Sequence, residues 1–109
     1  MPSSGAIGLP VFSIEYAEGV KDDLATIRPF DRSRLLDRIE EQLTQQPTTQ
    51  TGNTKILVGL IPPWDHEPPV WELRIGQHRV FYDVDTTESR VTVRAVRRKP
   101  PHTTTEEVL

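Results

Sequence analysis

The stretch Trp71-Glu72-Leu73-Arg74-Ile75-Gly76-Gln77-His78-Arg79-Val80-Phe81-Tyr82-Asp83 decides the fold. Trp71, Leu73 and Ile75 alternate with Glu72 and Arg74; beyond Gly76-Gln77 the alternation resumes, with Val80, Tyr82 and Val84 set against Arg79, Phe81 and Asp83. A period of two sends successive side chains to opposite faces of a strand, so the stretch is a hairpin with one apolar face. Gly76-Gln77 is the tight connection that such a hairpin needs. A third alternating run, Val91, Val93 and Ala95 against Thr92, Arg94 and Val96, follows the polar turn 85–89. The three runs predict an antiparallel meander. Its second face is expected to carry Glu72, Arg74, Arg79, Arg94 and Arg98.

The apolar face needs a cover, and the sequence upstream supplies one. Residues 11–16 alternate as a strand, with Phe12, Ile14 and Tyr16 as the core side. In 18–27, Val20, Leu24 and Ile27 recur at helical spacing, leaving Lys21, Asp22, Asp23 and Thr26 on the wet side. Pro29 breaks that pattern, because it lacks an N–H and biases Arg28 away from helix. Asp31 is the expected N-cap of a second helix, since a carboxylate there accepts from free N–H groups of the first turn. Leu35, Leu36, Ile39 and Leu43 form its apolar stripe, and Pro47 ends it. Residues 48–69 read as loop, with Gly52-Asn53, Pro62-Pro63 and Pro68-Pro69. The apolar island 56–61 inside it is expected to be a short strand or a core-plugging turn. At the other end, Thr104 or Thr105 can cap a last helical turn over 106–109. The fold class is therefore α+β: an N-terminal strand, a helix hairpin, then a three-stranded meander, in one sheet packed on the helices. Residues 1–9, small and polar, are expected to be a flexible tail, and 10–109 a single domain.

With 109 residues, 35% of them apolar and 27% charged, the chain has room for one modest core. No stretch approaches the ~20 apolar residues of a membrane span. There is no secretory signal pattern and no cysteine, which together suit the cytoplasm. The net charge of −3 is uneven: residues 1–69 hold 6 Lys/Arg against 10 Asp/Glu, and 70–109 hold 7 against 6. Arg90, Arg94, Arg97, Arg98 and Lys99 fall in a run without an acid. Such a patch can neutralise phosphates and release their counterions, so the local balance permits a specific nucleic-acid contact although the whole-chain balance opposes a nonspecific one.

The hairpin 71–83 resembles the central hairpin of RelE/ParE-type toxins, with its aromatic, short basic strand, Gly turn, Arg and trailing aliphatics and Tyr. Val93-Arg94-Ala95-Val96-Arg97-Arg98-Lys99 is similar to the family's last strand and the basic residues after it, and Phe12-Ser13-Ile14-Glu15-Tyr16 with the helix pair 20–46 match its opening strand and helices. The resemblance covers about residues 10–109. It implies the toxin component of a type II toxin–antitoxin pair, of the kind associated with plasmid stabilization, forming a hetero-oligomer with a cognate antitoxin. RelE-like members are endoribonucleases (mRNA interferases) that inhibit translation, cutting mRNA in the ribosomal A site without a metal or other cofactor. ParE-like members poison DNA gyrase instead. Because the fold is shared, the site must decide between them.

RNA cleavage without metal needs a base, an acid and fixed cations at the phosphoryl oxygens. Arg79 matches the family's arginine after the turn and is the first candidate for the phosphate-stabilising role; the alternative is an ion pair with Glu72 across the hairpin. Arg98 and Lys99 match the basic residues that follow the last strand, which act in catalysis and RNA contact in RelE-like members. His102 is the acid/base candidate by its ordinary pKa of ~6.5. Arg74, Arg94 and Arg97 are candidate RNA-phosphate contacts. Two departures stand out: Glu72 occupies a place where some ribosome-dependent members have lysine, and no tyrosine follows Tyr82. Tyr82 is expected in the core with a backbone partner for its hydroxyl, and His78 at the surface. Asp65-His66-Glu67 are adjacent in a Pro-rich loop and are not expected to converge on a metal. Trp64 and Trp71 are candidates for base stacking, with hairpin packing the alternative for Trp71. The leading expectation is a RelE-like RNA-cleaving toxin. The rivals are a ParE-like gyrase inhibitor and a member that only binds its antitoxin.

Overall fold

The computed structural model describes residues 11–109; the expected tail, 1–9, lies outside the described residues. β1 (Ser13–Tyr16) leads into α1 (Glu18–Ala25) and α2 (Pro29–Leu43), followed by β2 (Thr54–Ile56), β3 (Trp71–Ile75), β4 (His78–Asp85), β5 (Arg90–Arg98) and α3 (Thr105–Val108). The strands form one sheet in the order β1-β5-β4-β3-β2, with β1 parallel to β5 and every other pair antiparallel. The meander is the one expected from its alternation. β1 adds to its far edge beside β5, and the αα-hairpin carries the chain across the sheet from β1 to β2 at the opposite edge.

Helices α1 and α2 cover one face. Val20, Leu35, Ile39 and Leu43 meet Trp71, Leu73, Val80, Tyr82, Val91 and Val93 in the main core. Tyr82 is fully buried, and its hydroxyl donates to the Pro47 carbonyl at 2.6 Å. Trp71 stacks on Tyr82 with ring centres 6.3 Å apart. Phe12 and Ile14 pack against this core, whereas Tyr16 is partly exposed and reaches Glu40, 3.0 Å away on α2.

The second helix starts earlier than its capping signal suggests. Arg28, not Asp31, is the N-cap, and Pro29 is the first helical residue. A proline costs nothing at that position because its missing N–H would be unpaired anyway, and the extended backbone of Arg28 is what a pre-proline residue adopts. Asp31 instead lies in the first turn, where a negative charge still suits the helix end. The corner between the helices is closed by Arg32, which donates to the Leu24 and Ile27 carbonyls at 3.0 and 2.8 Å. Carbonyls at a helix end lie beyond the regular ladder, and that of Leu24 also accepts from the Ile27 N–H at 3.0 Å.

A register shift between β4 and β5 changes the faces. Phe81 pairs with Ala95 but Tyr82 pairs with Val93, so Arg94 is an extra residue. A bulge of this kind flips every later side chain of the strand. Ala95 therefore joins Phe81 on the outer face, and Val96 turns into the main core. Simple alternation had put Ala95 inside and Arg98 outside; both assignments are reversed.

The outer face is also covered. Val70, Phe81 and Ala95 form a second, smaller core under Leu57, Trp64, Val108 and Leu109. Of the apolar island, only its first residue ends a strand, β2; Val58 and Ile61 are 85% and 88% exposed rather than plugging the core.

Candidate functional site

Arg74 and Arg79 are register partners on β3 and β4, so they share the outer face as expected. They do not share its exposure. Arg74 is exposed, but Arg79 is only 7% exposed. One terminal nitrogen of Arg79 donates to the carbonyls of Gly76 and His78, both at 2.9 Å, and its Nε lies 4.0 Å from Glu72. Gly76 has φ +58, which lets the turn fold back far enough to offer that carbonyl. Burial and the neighbouring Arg74 push the Arg79 guanidinium below its usual pKa, and Glu72 opposes them.

Glu72 is the centre of this network. It is 3% exposed, accepts from the Thr105 hydroxyl at 3.0 Å, and has Lys55 Nζ at 3.5 Å. The ion pair that rivalled a phosphate role for Arg79 is thus present, and α3 helps to hold it. Thr104 caps α3 and its backbone N–H donates to Glu107 in return, a capping box. That double bond also draws the Glu107 carboxyl below its ordinary pKa. Val108 and Leu109 then pack on Phe81 and its neighbours.

The other basic candidates are dispersed. Arg94 is engaged by Asp83 in a two-pronged pair, at 2.7 and 3.3 Å. Asp83 also accepts from the Glu67 backbone at 3.0 Å, which pins the Pro-rich loop to β4. Arg97 binds Asp23 at 2.7 Å and lies 5.2 Å over the Trp64 ring. Asp23, assigned to solvent by helical spacing, in addition accepts from the Val96 N–H at 2.9 Å and ties α1 to β5. Trp64 does not present a free stacking surface, since it packs on Phe81 at 5.3 Å. Lys99 is half-buried beside the hairpin turn, its N–H donating to the Gln77 carbonyl at 2.6 Å. His102 is exposed with φ +66 in the turn before α3. Arg98 lies beside His78 on the helix side, with Asp23, Arg28 and Asp31 lining the same pocket. His78 is half-buried rather than a surface residue. The His66 Nδ1 is 2.9 Å from the Trp64 carbonyl, a local loop contact.

A protein-family model, described as the ParE toxin of the type II toxin-antitoxin system parDE, matches residues 14–99. The chain belongs to the ParE toxin family. Its fold is shared with solved RelE toxins. The RelBE2 complex of Mycobacterium tuberculosis superposes with a TM-score of 0.65 at 17% identity, covering 84% of this chain and 94% of that one. The archaeal RelE-RelB complex of Pyrococcus horikoshii gives 0.63 at 15% identity, covering 85% and 99%. The isolated E. coli RelE toxin gives 0.61 at 18%, covering 82% and 85%. A search of curated proteins found no match.

For this ParE-family toxin the sequence offered Glu72 only as an ion-pair partner of Arg79, and the docking of α3 on it was missed. A signal for that docking was present. Phe81 interrupts the polar face, and Val108-Leu109 is an apolar pair that needs somewhere to go. Among the described residues, no helix is long and apolar enough to cross a membrane.

Proposed function

We propose that this ParE-family toxin acts by binding a protein target, DNA gyrase being the target that the family resemblance implies. A cognate antitoxin would hold it inactive. The observation that carries this reading is the state of Arg79: the arginine that matches the family's Arg after the turn, the first candidate for a phosphate role, is buried, bonded to two carbonyls and faced by Glu72. A guanidinium so engaged is not aimed at a phosphate, and electrostatic stabilisation depends on donors already aimed where charge develops. The antitoxin partner is supported by the family and by the solved RelE relatives that are complexes with RelB.

RNA cleavage, the expectation raised by the sequence, is the second reading. It is favoured by how lightly Glu72, the acid facing Arg79, is held: by one hydroxyl of a four-residue helix and by an exposed lysine. Lifting that helix would leave Arg79, Arg74 and Lys99 on one rim. Tightly controlled expression separates the two. The binding reading expects filamentation, induced DNA repair and intact mRNA, together with inhibition of purified gyrase in a supercoiling assay. Rapid translation arrest with cut mRNA, relieved by Arg79→Ala or Lys99→Ala, would replace it with the nuclease reading. Absence of any phenotype would sink both, leaving a member that only binds its antitoxin.

A further inference from the structure

A second basic surface lies on the helix side of the sheet, where the β3–β4 turn meets the corner between α1 and α2. His78 and Arg98 are register partners at this end. Both line a pocket of about 230 Å³, along with Arg28, Asp23 and Asp31. A neighbouring pocket of about 410 Å³ is lined by Arg34 and Arg38 of α2 and the turn residues Gly76 and Gln77, and shares Asp31 and His78 with the first. The two are therefore one trough. Arg34 and Arg38 are one helical turn apart, so they project along the same side of α2.

The trough holds four arginines against two aspartates, although the chain as a whole carries −3. One of those aspartates is already answered, since Asp23 is bound by Arg97 at 2.7 Å and by the Val96 N–H at 2.9 Å. Arg28 is 3.8 Å from Asp31, and Arg38 is 3.5 Å from Glu41. Both pairs are solvent-exposed, where ion pairing is weak and easily exchanged. Among the described residues, neither Arg34 nor Arg98 has an acidic partner; Arg34 lies 5.7 Å over the Phe30 ring.

We propose that this trough binds the phosphodiester backbone of a nucleic acid, with Arg98 and Arg34 as its two principal phosphate contacts and His78 as a donor between them. The cations come from β5, the helix corner and α2, and they span two adjoining pockets. A strand with a charge at every nucleotide can touch them all. Arginine forks match phosphate oxygens in pairs, and among the described residues no outer-face arginine but Arg74 is comparably free. The proposal stands apart from the gyrase reading, because it concerns a different face and needs no protein target. His78 supplies an internal reporter: burial, Arg98 and Arg79 hold its proton affinity below the ordinary value, against the pull of Asp31. A bound phosphate reverses that balance.

The test uses the purified full chain and fluorescence anisotropy with labelled mixed-sequence single-stranded RNA, single-stranded DNA and duplex DNA across a salt series. Binding is expected to weaken with salt. Arg34→Glu and Arg98→Glu should each weaken it, and the double variant by at least about tenfold with a salt slope shallower by about two. Lys21→Glu, an equal charge change on exposed α1, should leave it unchanged. In nuclear magnetic resonance the His78 ring should titrate at higher pH with the oligonucleotide than without it. This readout uses the unmodified chain and so decides the matter if the double variant fails to fold. Binding of only RNA or only DNA supports the site and names its polymer. No binding to any of the three, an unmoved His78 titration, or a Lys21→Glu effect as large as the others would overturn it. Because gyrase is absent from the assay, none of these outcomes bears on the target proposed above.

Discussion

The two faces of the sheet are buried by different means. The inner face is covered by two regular helices whose apolar stripes meet alternating strand residues, and the Tyr82 hydroxyl in its core is bonded to the Pro47 carbonyl. The outer face is covered by a Pro-rich loop and a four-residue helix, and it buries a charged network of Glu72 and Arg79 beside Phe81. A count of basic residues on a strand is thus a poor measure of free positive charge. Among the described residues, Arg79, Arg94 and Arg97 each have an acidic partner, whereas Arg98 on the helix side does not.

The comparison is broken most directly by making an equivalent hole on each side. Ile39→Ala should cost about 2–5 kcal/mol and Phe81→Ala about 3–5 kcal/mol, read from urea or thermal denaturation. Near-equal losses establish the outer cluster as a real second core. A Phe81→Ala loss below about 1 kcal/mol would mean that the loop and α3 merely rest on the sheet.

The next effect tests the buried charges. Glu72→Leu leaves the Arg79 guanidinium without its acid, and should destabilise by about 1–3 kcal/mol. Adding Arg79→Leu should restore much of that loss, because replacing both members of a buried pair by apolar groups is often neutral. A double variant as unstable as the sum of the singles would show that the two side chains act separately.

A smaller change removes the lid. Deleting residues 104–109 takes away the capping box and the packing of Val108 and Leu109, at a cost of about 1–2 kcal/mol. The sheet should stay folded, and hydrogen exchange should rise across β3 and β4 around Glu72 and Arg79. Unchanged exchange would mean that α3 does not shield them.

The smallest expected effect lies on the inner side. Because His78 has a depressed proton affinity when folded, the unfolded chain takes up its proton first as pH falls. Stability from this group is therefore full above pH ~6.5 and declines as pH drops below that value. His78→Gln should flatten this slope, as measured by denaturant midpoints between neutral and mildly acidic pH. An identical slope in the variant would place its cause elsewhere.

Much of the scaffold was legible. The meander, the helix pair, the stop at Pro47 and the buried Tyr82 follow from spacing and from the habits of proline and of aromatic side chains, all of them local. The site was less so. Arg74 and Arg79 were placed on one face correctly, yet the acid that faces Arg79, Glu72, is held by Thr105 of α3, 33 residues further along the chain. Arg98 was assigned to the wrong face because a single extra residue at Arg94 inverts everything after it. Asp23 looked solvated because the helical wheel takes no account of β5 beside it.

By itself the sequence determined which segments are strands and helices, and which of their faces must leave water, because periodicity and chain stiffness act between near neighbours. Only the tertiary structure decided which charges remain available. That depends on partners brought together from 7 to 74 residues apart, as Glu72 is with Arg79 and Asp23 with Arg97, and on the water excluded once they meet.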